Sequence, residues 1–142
     1  TMSKKFVAEN MEPVRNTEIW HPTSVTNPEE NTFVYKFDQN IVGTSRITAK
    51  APEGTEIVIK YCEFLTGGKI SGTEYLSHNG TDRYIFRGDE DGETVEFDLV
   101  YHGFQYLQIE GLSEALDFEC VEGLVLTSDM DRTGYLETSN DV

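Results

Sequence analysis

Apolar and polar residues alternate in short runs from Thr32 onward, and this period-two pattern constrains the fold more than any other feature of the sequence. Phe33, Tyr35 and Phe37, for example, fall on one face of a predicted strand. Turn residues separate the runs, which is typical of antiparallel sheets with one solvated face. No long stretch repeats with the period of about 3.6 residues that marks a helix, and only residues 113–116 suggest a helical turn. The pattern therefore predicts an all-β chain.

Two pairs of alternating runs flank short turns and predict β-hairpins. In the first pair, residues 46–51 and 57–61 flank residues 52–54, where a proline presets the turn and a glycine closes it. In the second pair, residues 84–87 and 95–101 flank a turn of acidic residues and glycines. Each pair is expected to form two neighbouring, hydrogen-bonded strands.

The whole pattern predicts a single β-sandwich. Two further strands are expected at residues 104–110 and 118–126, which brings the total to about eight short strands, and an antiparallel sandwich of jelly-roll topology accommodates them. The sandwich is assigned to residues 31–138, and residues 1–30, with three prolines, to an extended lead-in. Residues 138–141 are a run of helix N-cap residues, which predicts that a helical domain begins at residues 139–142.

The charge of the chain excludes several classes of partner. Its 26 acidic and 11 basic residues give a formal net charge of −15. Such a chain repels polyanions, so neither nucleic acid nor an anionic membrane surface is an expected partner. No run of apolar residues approaches the length of a membrane-spanning helix. The first residues lack the apolar stretch of a signal peptide, which leaves the compartment open.

The sequence predicts no cofactor or metal. Cys62 and Cys120 are far apart and lack the spacing of a zinc site, so two buried thiols or one disulfide stay open. One loop concentrates acids that a Ca²⁺ ion could use, but their order does not match an EF-hand, and a polar turn explains them equally: Asp89, Glu90, Asp91 and Glu93. The sequence also lacks the common nucleophile and phosphate-loop motifs.

Glu63 is the acidic residue whose position is unusual. It continues the parity of Ile57, Ile59 and Tyr61, so it would point inward unless the strand ends before it. A buried carboxylate needs a partner. The residue is therefore predicted either to fix a strand end through a hydrogen bond or to face a ligand.

Aromatic residues next to polar ones form the candidate surface for a sugar or a neighbouring domain. A sugar ring stacks on an aromatic face while its hydroxyls need polar partners. The same aromatic residues could equally form the core. Together with Glu63, the candidates for a carbohydrate-binding site or a domain interface are Tyr75, His78, Tyr101, His102, Phe104, Tyr106 and Tyr135.

Several stretches, taken in order, resemble motifs in the β-sandwich domain of bacterial α-L-rhamnosidases. Each is short, but their order and spacing across residues 33–140 are specific. The chain departs from the family at Asp38, where glycine is usual, at Cys62, where alanine is common, and at Gln105, where arginine is common. The matching stretches are Phe37-Asp38-Gln39-Asn40 with Gly43 (FGQN…G), Tyr61-Cys62-Glu63 (YAE), Thr81-Asp82-Arg83-Tyr84 (TDxY), Tyr101-His102-Gly103-Phe104-Gln105-Tyr106 (YHGFRY), and Ser128-Asp129 with Gly134 and Ser139-Asn140 (SD…G…SN).

This resemblance implies a concanavalin-like β-sandwich that precedes an α/α-barrel, in enzymes that cleave terminal α-L-rhamnose with inversion. In that family the general acid and base are carboxylates of the barrel, so no catalytic residue is carried over to this chain. The resemblance implies a non-catalytic accessory domain whose partner is the catalytic barrel of the same parent chain. A lectin-like module that itself binds rhamnosylated sugars is the alternative.

Overall fold

The chain is built of antiparallel strands in the parts that the computed structural model describes, residues 7–70 and 80–139. The only helical element there is one turn of 3₁₀ helix, at Phe118–Cys120. No helix in these parts is long and apolar enough to cross a membrane. The all-β prediction is confirmed. The strands are β1 Val14–Trp20, β2 Ser24–Glu29, β3 Thr32–Ala49, β4 Glu56–Cys62, β5 Thr81–Ile85, β6 Glu93–Glu96, β7 His102–Glu110 and β8 Val121–Ser128.

The long strand β3 connects two layers of one curled sheet. Its residues 32–36 pair with β2 and β7, whereas its residues 43–49 pair with β8 and β6. The pairing with β7 shifts register between Lys36 and Ile41, where the strand changes layers. One layer therefore runs β2-β3-β7-β4-β5, and the other runs β1-β8-β3-β6.

Aromatic and branched side chains fill the space between the layers. Phe37 and Phe104 meet edge to face with their ring centroids 5.6 Å apart. A hydrogen bond of 2.8 Å joins the buried hydroxyls of Ser45 on β3 and Tyr61 on β4, although these strands are not paired with each other. The buried core includes Phe33, Tyr35, Phe37, Ile41, Ile47, Ile57, Ile59, Tyr61, Phe86, Phe104, Leu107, Ile109 and Val121.

The bend of β3 depends on two residues from the family-like motifs. A Cβ atom at Gly43 would lie 1.7 Å from the carbonyl oxygen of Leu124, so only glycine allows β8 to approach this closely. Gln105 donates a hydrogen bond of 3.2 Å from its side chain to the carbonyl of Phe37. It therefore supports the irregular part of β3 from the neighbouring strand β7.

Both predicted hairpins are wrong. Strand β4 pairs with β5 and β7 and does not pair with β3, while β6 pairs with β3 and does not pair with β5. The two turns exist, but each leads the chain from one layer to the other. They also bond to each other, because Gly54 donates to the carbonyl of Phe86 and Phe86 donates to that of Thr55, both at 2.9 Å.

Several strand boundaries also differ from the prediction. The return strand expected to reach residue 101 ends at Glu96, and Leu99 has a φ of 62° that breaks any strand there. The expected strand at residues 118–126 begins with the 3₁₀ turn, which replaces the turn expected at residues 113–116. Residues 134–136 lie outside any strand. Within the expected lead-in, β1 pairs with β8 and β2 with β3.

Candidate functional site

The structure separates the predicted site residues instead of gathering them into one cleft. Phe104 is fully buried and belongs to the core, while Tyr106 is half-buried. Tyr135 is largely exposed and lies outside any strand. Tyr75 and His78 lie outside the described residues. The remaining candidates, Glu63, Tyr101 and His102, occupy the end of the sandwich where β4 ends and β7 begins.

His102 is held in a small polar cluster at the start of β7. Its Nε2 atom lies 3.0 Å from Oδ2 of Asp82 on β5, and both side chains are mostly buried. The imidazole stacks on the ring of Tyr61, with centroids 4.0 Å apart and planes 14° from parallel. Burial raises the pKa of Tyr61 far above its ordinary value, so this hydroxyl stays protonated. The motif residues Asp82 and His102 therefore join the start of β5 to the start of β7.

Two glycines let the chain pack closely around this cluster. A Cβ atom at Gly80 would lie 3.2 Å from Nδ1 of His102. A Cβ atom at Gly103 would lie 3.2 Å from a carboxylate oxygen of Glu63. Substituting either glycine would force these neighbours to shift, so the cluster depends on local backbone approach.

Glu63 lies just beyond the end of β4 and is exposed. The strand ends at Cys62, so the condition for an inward-pointing Glu63 is not met and the side chain is not buried. Asn40 donates a hydrogen bond of 3.0 Å to its carboxylate, so the side chain links the end of β4 to the bend of β3. This geometry supports the structural interpretation of Glu63.

The acidic loop folds around one carboxylate. Glu93 is buried and accepts hydrogen bonds from the backbone N–H groups of Arg87, Gly88 and Asp89, at 2.9, 3.0 and 3.3 Å. The hydroxyl of Tyr84 donates a fourth bond of 2.7 Å. Burial acts to raise the pKa of Glu93, but these hydrogen bonds outweigh it and lower the pKa to about 2.

This arrangement favours a structural role for the loop over a calcium site. The carboxylate of Glu93 points into the turn, where N–H and O–H donors occupy it. Across residues 7–70 and 80–139, no three His, Cys, Asp or Glu side chains are grouped so that they could hold a metal ion. Cys62 is buried and Cys120 is half-buried.

The sequence analysis named Tyr101 as an interface candidate but missed the other residues of an exposed apolar surface, which we call the Tyr101 face. It surrounds a shallow hollow of about 280 Å³ whose lining includes Val14, Val42, Tyr101 and Leu126, with the hydroxyl residues Thr127 and Ser128 at one side. Leu99 and Val100 precede Tyr101 and are also exposed. The available signal was the run Leu99-Val100-Tyr101, where three apolar residues in succession break the alternation. The Tyr101 face consists of Val14, Val42, Leu99, Val100, Tyr101 and Leu126.

Comparison with known proteins gives a consistent result. Residues 26–127 match the family model described as the bacterial alpha-L-rhamnosidase concanavalin-like domain. The chain is 28% identical to an alpha-L-rhamnosidase of Formosa agariphila over 145 aligned residues. That alignment covers 98% of this chain and 15% of the relative.

Solved structures of larger proteins contain the same fold. An alpha-L-rhamnosidase of Streptomyces avermitilis, in complex with L-rhamnose, superposes with a TM-score of 0.86 at 29% identity, covering 95% of this chain and 13% of that one. An alpha-L-rhamnosidase of Dictyoglumus thermophilum superposes with a TM-score of 0.85 at 32% identity, covering 94% and 15%. The chain thus corresponds to a small part of these proteins.

Proposed function

Because the chain belongs to the family of concanavalin-like domains of bacterial α-L-rhamnosidases, we propose that it is a non-catalytic accessory domain of such an enzyme. This proposal rests on the share of each protein that the alignments cover. The matches described above extend over nearly all of this chain but over only 13–15% of those relatives. The catalytic carboxylates of the enzyme then lie in the remaining part of the polypeptide, in an α/α-barrel that removes terminal α-L-rhamnose.

The geometry of the described acids agrees with this division of labour. Glycoside hydrolysis by the usual route needs a general acid whose pKa is raised by its surroundings. Glu93, the most perturbed carboxyl, has a lowered pKa and is buried within a turn. Asp82 is paired with His102. Both carboxylates therefore act in holding the sandwich together.

An assay with an aryl α-L-rhamnoside tests the proposal. The full-length protein should release the aryl alcohol, whereas the 142-residue chain should show no release above buffer at equal molar concentration. An inactive full-length protein would contradict the family activity. Hydrolysis by the 142-residue chain that persists through repurification would show that the domain is itself catalytic.

One observation favours a second function, the binding of a sugar by the domain itself. The exposed ring of Tyr101 borders a hollow that Thr127 and Ser128 also line, which is the combination of aromatic face and hydroxyls that a pyranose uses. Titration calorimetry of the 142-residue chain with L-rhamnose tests it, with Tyr101→Ala as the matched variant. Heat that Tyr101→Ala abolishes would support sugar binding, and no heat at millimolar L-rhamnose would reject it.

A further inference from the structure

We propose that the Tyr101 face is the surface on which the rest of the same polypeptide, its catalytic domain, docks. This inference rests on the accessory role proposed above. It adds a location, because the family matches do not say which surface of the sandwich faces the remaining chain. It also decides between the two uses of the face, since a docked domain would cover the hollow that a sugar would need.

The first support is the amount of apolar side chain that the face exposes. Tyr101 is 73% exposed, Val14 is 66% exposed and Val42 is 54% exposed, while Leu99 is fully exposed. Single exposed apolar residues are ordinary, but a contiguous group beside a hollow marks a contact surface. The hollow connects Val14 on β1, Val42 on β3 and Leu126 on β8, so the face belongs to the rigid sandwich.

The second support is the backbone of Leu99. A φ of 62° is unfavourable for leucine. Because the side chain is fully exposed, no burial within the sandwich offsets this conformational cost. Residues held in such conformations persist where another requirement determines them, and they cluster at contact and ligand sites. Contact between the Leu99 side chain and a docked domain would explain why this conformation is kept.

The third support is the path of the chain. Strand β8 ends at Ser128, which lines the hollow, and the next residue, Asp129, donates a backbone hydrogen bond of 3.0 Å to Pro13. The polypeptide after β8 therefore leaves the sandwich beside the Tyr101 face. In the relatives this region is only 13–15% of the length, so most of the polypeptide is tethered to it. Tethering gives a neighbouring domain a high effective concentration at that surface.

A second copy of the chain is a weaker candidate for this face. Each copy carries a net charge of −15, so two copies repel each other over the whole approach. A tethered domain does not have to overcome that repulsion from dilute solution. Self-association is therefore treated as an outcome of the test.

Thiol labelling tests the docking surface. We would introduce Leu99→Cys and, separately, Tyr101→Cys, each with Cys120→Ser, because Cys120 is the native thiol on the same tryptic peptide, residues 88–132. The matched control is Glu90→Cys, an exposed position on that peptide in the turn at the other end of β7. Maleimide labelling rates would be measured by mass spectrometry for the 142-residue chain and for the full-length protein.

The proposal predicts that thiols at positions 99 and 101 react at least about tenfold more slowly in the full-length protein, while the thiol at position 90 changes less than about twofold. Equal rates at 99 and 101 in both proteins would overturn it. Protection that already appears in the 142-residue chain and increases with its concentration would assign the face to a second copy and overturn the proposal too. Because Leu99 is fully exposed, Leu99→Cys keeps the test valid if Tyr101→Cys impairs folding.

The aryl α-L-rhamnoside assay on the same samples separates the two proposals. An active full-length protein with unprotected thiols at 99 and 101 would refute the docking surface and leave the accessory role standing. An inactive full-length protein with protected thiols would refute the rhamnosidase role and keep the face as a contact between domains.

Discussion

At the scale of the residue, the most informative side chain is one that the sequence analysis placed in the acidic loop, as a possible calcium ligand or as part of a polar turn. Glu93 has the same parity as Val95, which is buried, so the alternation itself indicated that this carboxylate points inward. What the sequence could not show is where its partners come from. Three of them are backbone N–H groups of the preceding turn. The alternation of apolar and polar residues does not predict the backbone path of that turn.

The lowered pKa of Glu93 predicts how stability depends on pH. A carboxyl whose pKa is about 2 in the folded chain and 4.5 in the unfolded chain stabilises the fold fully above pH 4.5. That stabilisation decreases as the pH falls from 4.5 toward 2. Denaturant unfolding at several pH values should show this loss for the native chain and a smaller loss for Glu93→Gln, which should also be less stable at pH 7.

Glu90→Gln is the control, because it removes an exposed acid from the same turn. It should leave both the stability at pH 7 and the slope between pH 4.5 and 2 close to those of the native chain. Equal slopes for Glu93→Gln and the native chain would contradict the role assigned to this carboxylate.

Leu99 gives a second prediction at this scale. Asparagine tolerates a positive φ better than leucine does, and the chain itself uses Asn31 at a φ of 54° between β2 and β3. Leu99→Asn should therefore raise the unfolding free energy of the 142-residue chain, by about 1 kcal/mol, as measured by urea unfolding. Leu136→Asn, at another exposed leucine outside any strand, should change it by less than about 0.5 kcal/mol. A loss of stability in Leu99→Asn would show that its side chain contributes to the isolated sandwich.

At the scale of the element, alternation predicted most strands but not their partners. The runs at residues 57–61 and 104–110 are strands, as predicted. Their buried sides could be identified because apolar residues recur there at alternate positions. The turn at residues 52–54 is equally real, yet it joins strands in different layers. A short turn with proline and glycine fits either a hairpin or a crossing between layers. The choice depends on contacts with the second turn near Phe86, far away in sequence.

The crossing can be tested with a double-mutant cycle across the core. Ser45 and Tyr61 share a buried hydrogen bond, so Ser45→Ala or Tyr61→Phe alone should cost about 1–3 kcal/mol of unfolding free energy. The double variant should cost less than the sum, with a coupling of about 0.5–1.5 kcal/mol. The control combines Tyr61→Phe with Thr48→Ala. The hydroxyl of Thr48 bonds to that of Thr94 on β6 and not to Tyr61, so the two losses of unfolding free energy should be additive. If the losses of unfolding free energy in Ser45→Ala and Tyr61→Phe were strictly additive, the result would contradict the packing of β3 against β4 across the core.

At the scale of the whole molecule, the candidate site was the least predictable feature. The family-like motifs identified the domain, but the structure uses their side chains within the sandwich, as with His102 against Asp82 and Gln105 against Phe37. The exposed Tyr101 face includes Val14 and Val42, which come together only through the pairing of β1, β8 and β3. The run Leu99-Val100-Tyr101 is the only contiguous part of this face in the sequence, so the remaining residues could not be assigned to it before the strand order was known.

Hydrogen exchange in the full-length protein tests the accessory, docked role most directly. The slowest amides of β7, in the centre of its layer, report the complete unfolding of the sandwich, so they reveal whether the rest of the polypeptide stabilises it. A docked domain predicts that these amides exchange at least about tenfold more slowly in the full-length protein than in the 142-residue chain, and that Tyr101→Asp removes most of this difference. Equal exchange rates in the two proteins would contradict docking.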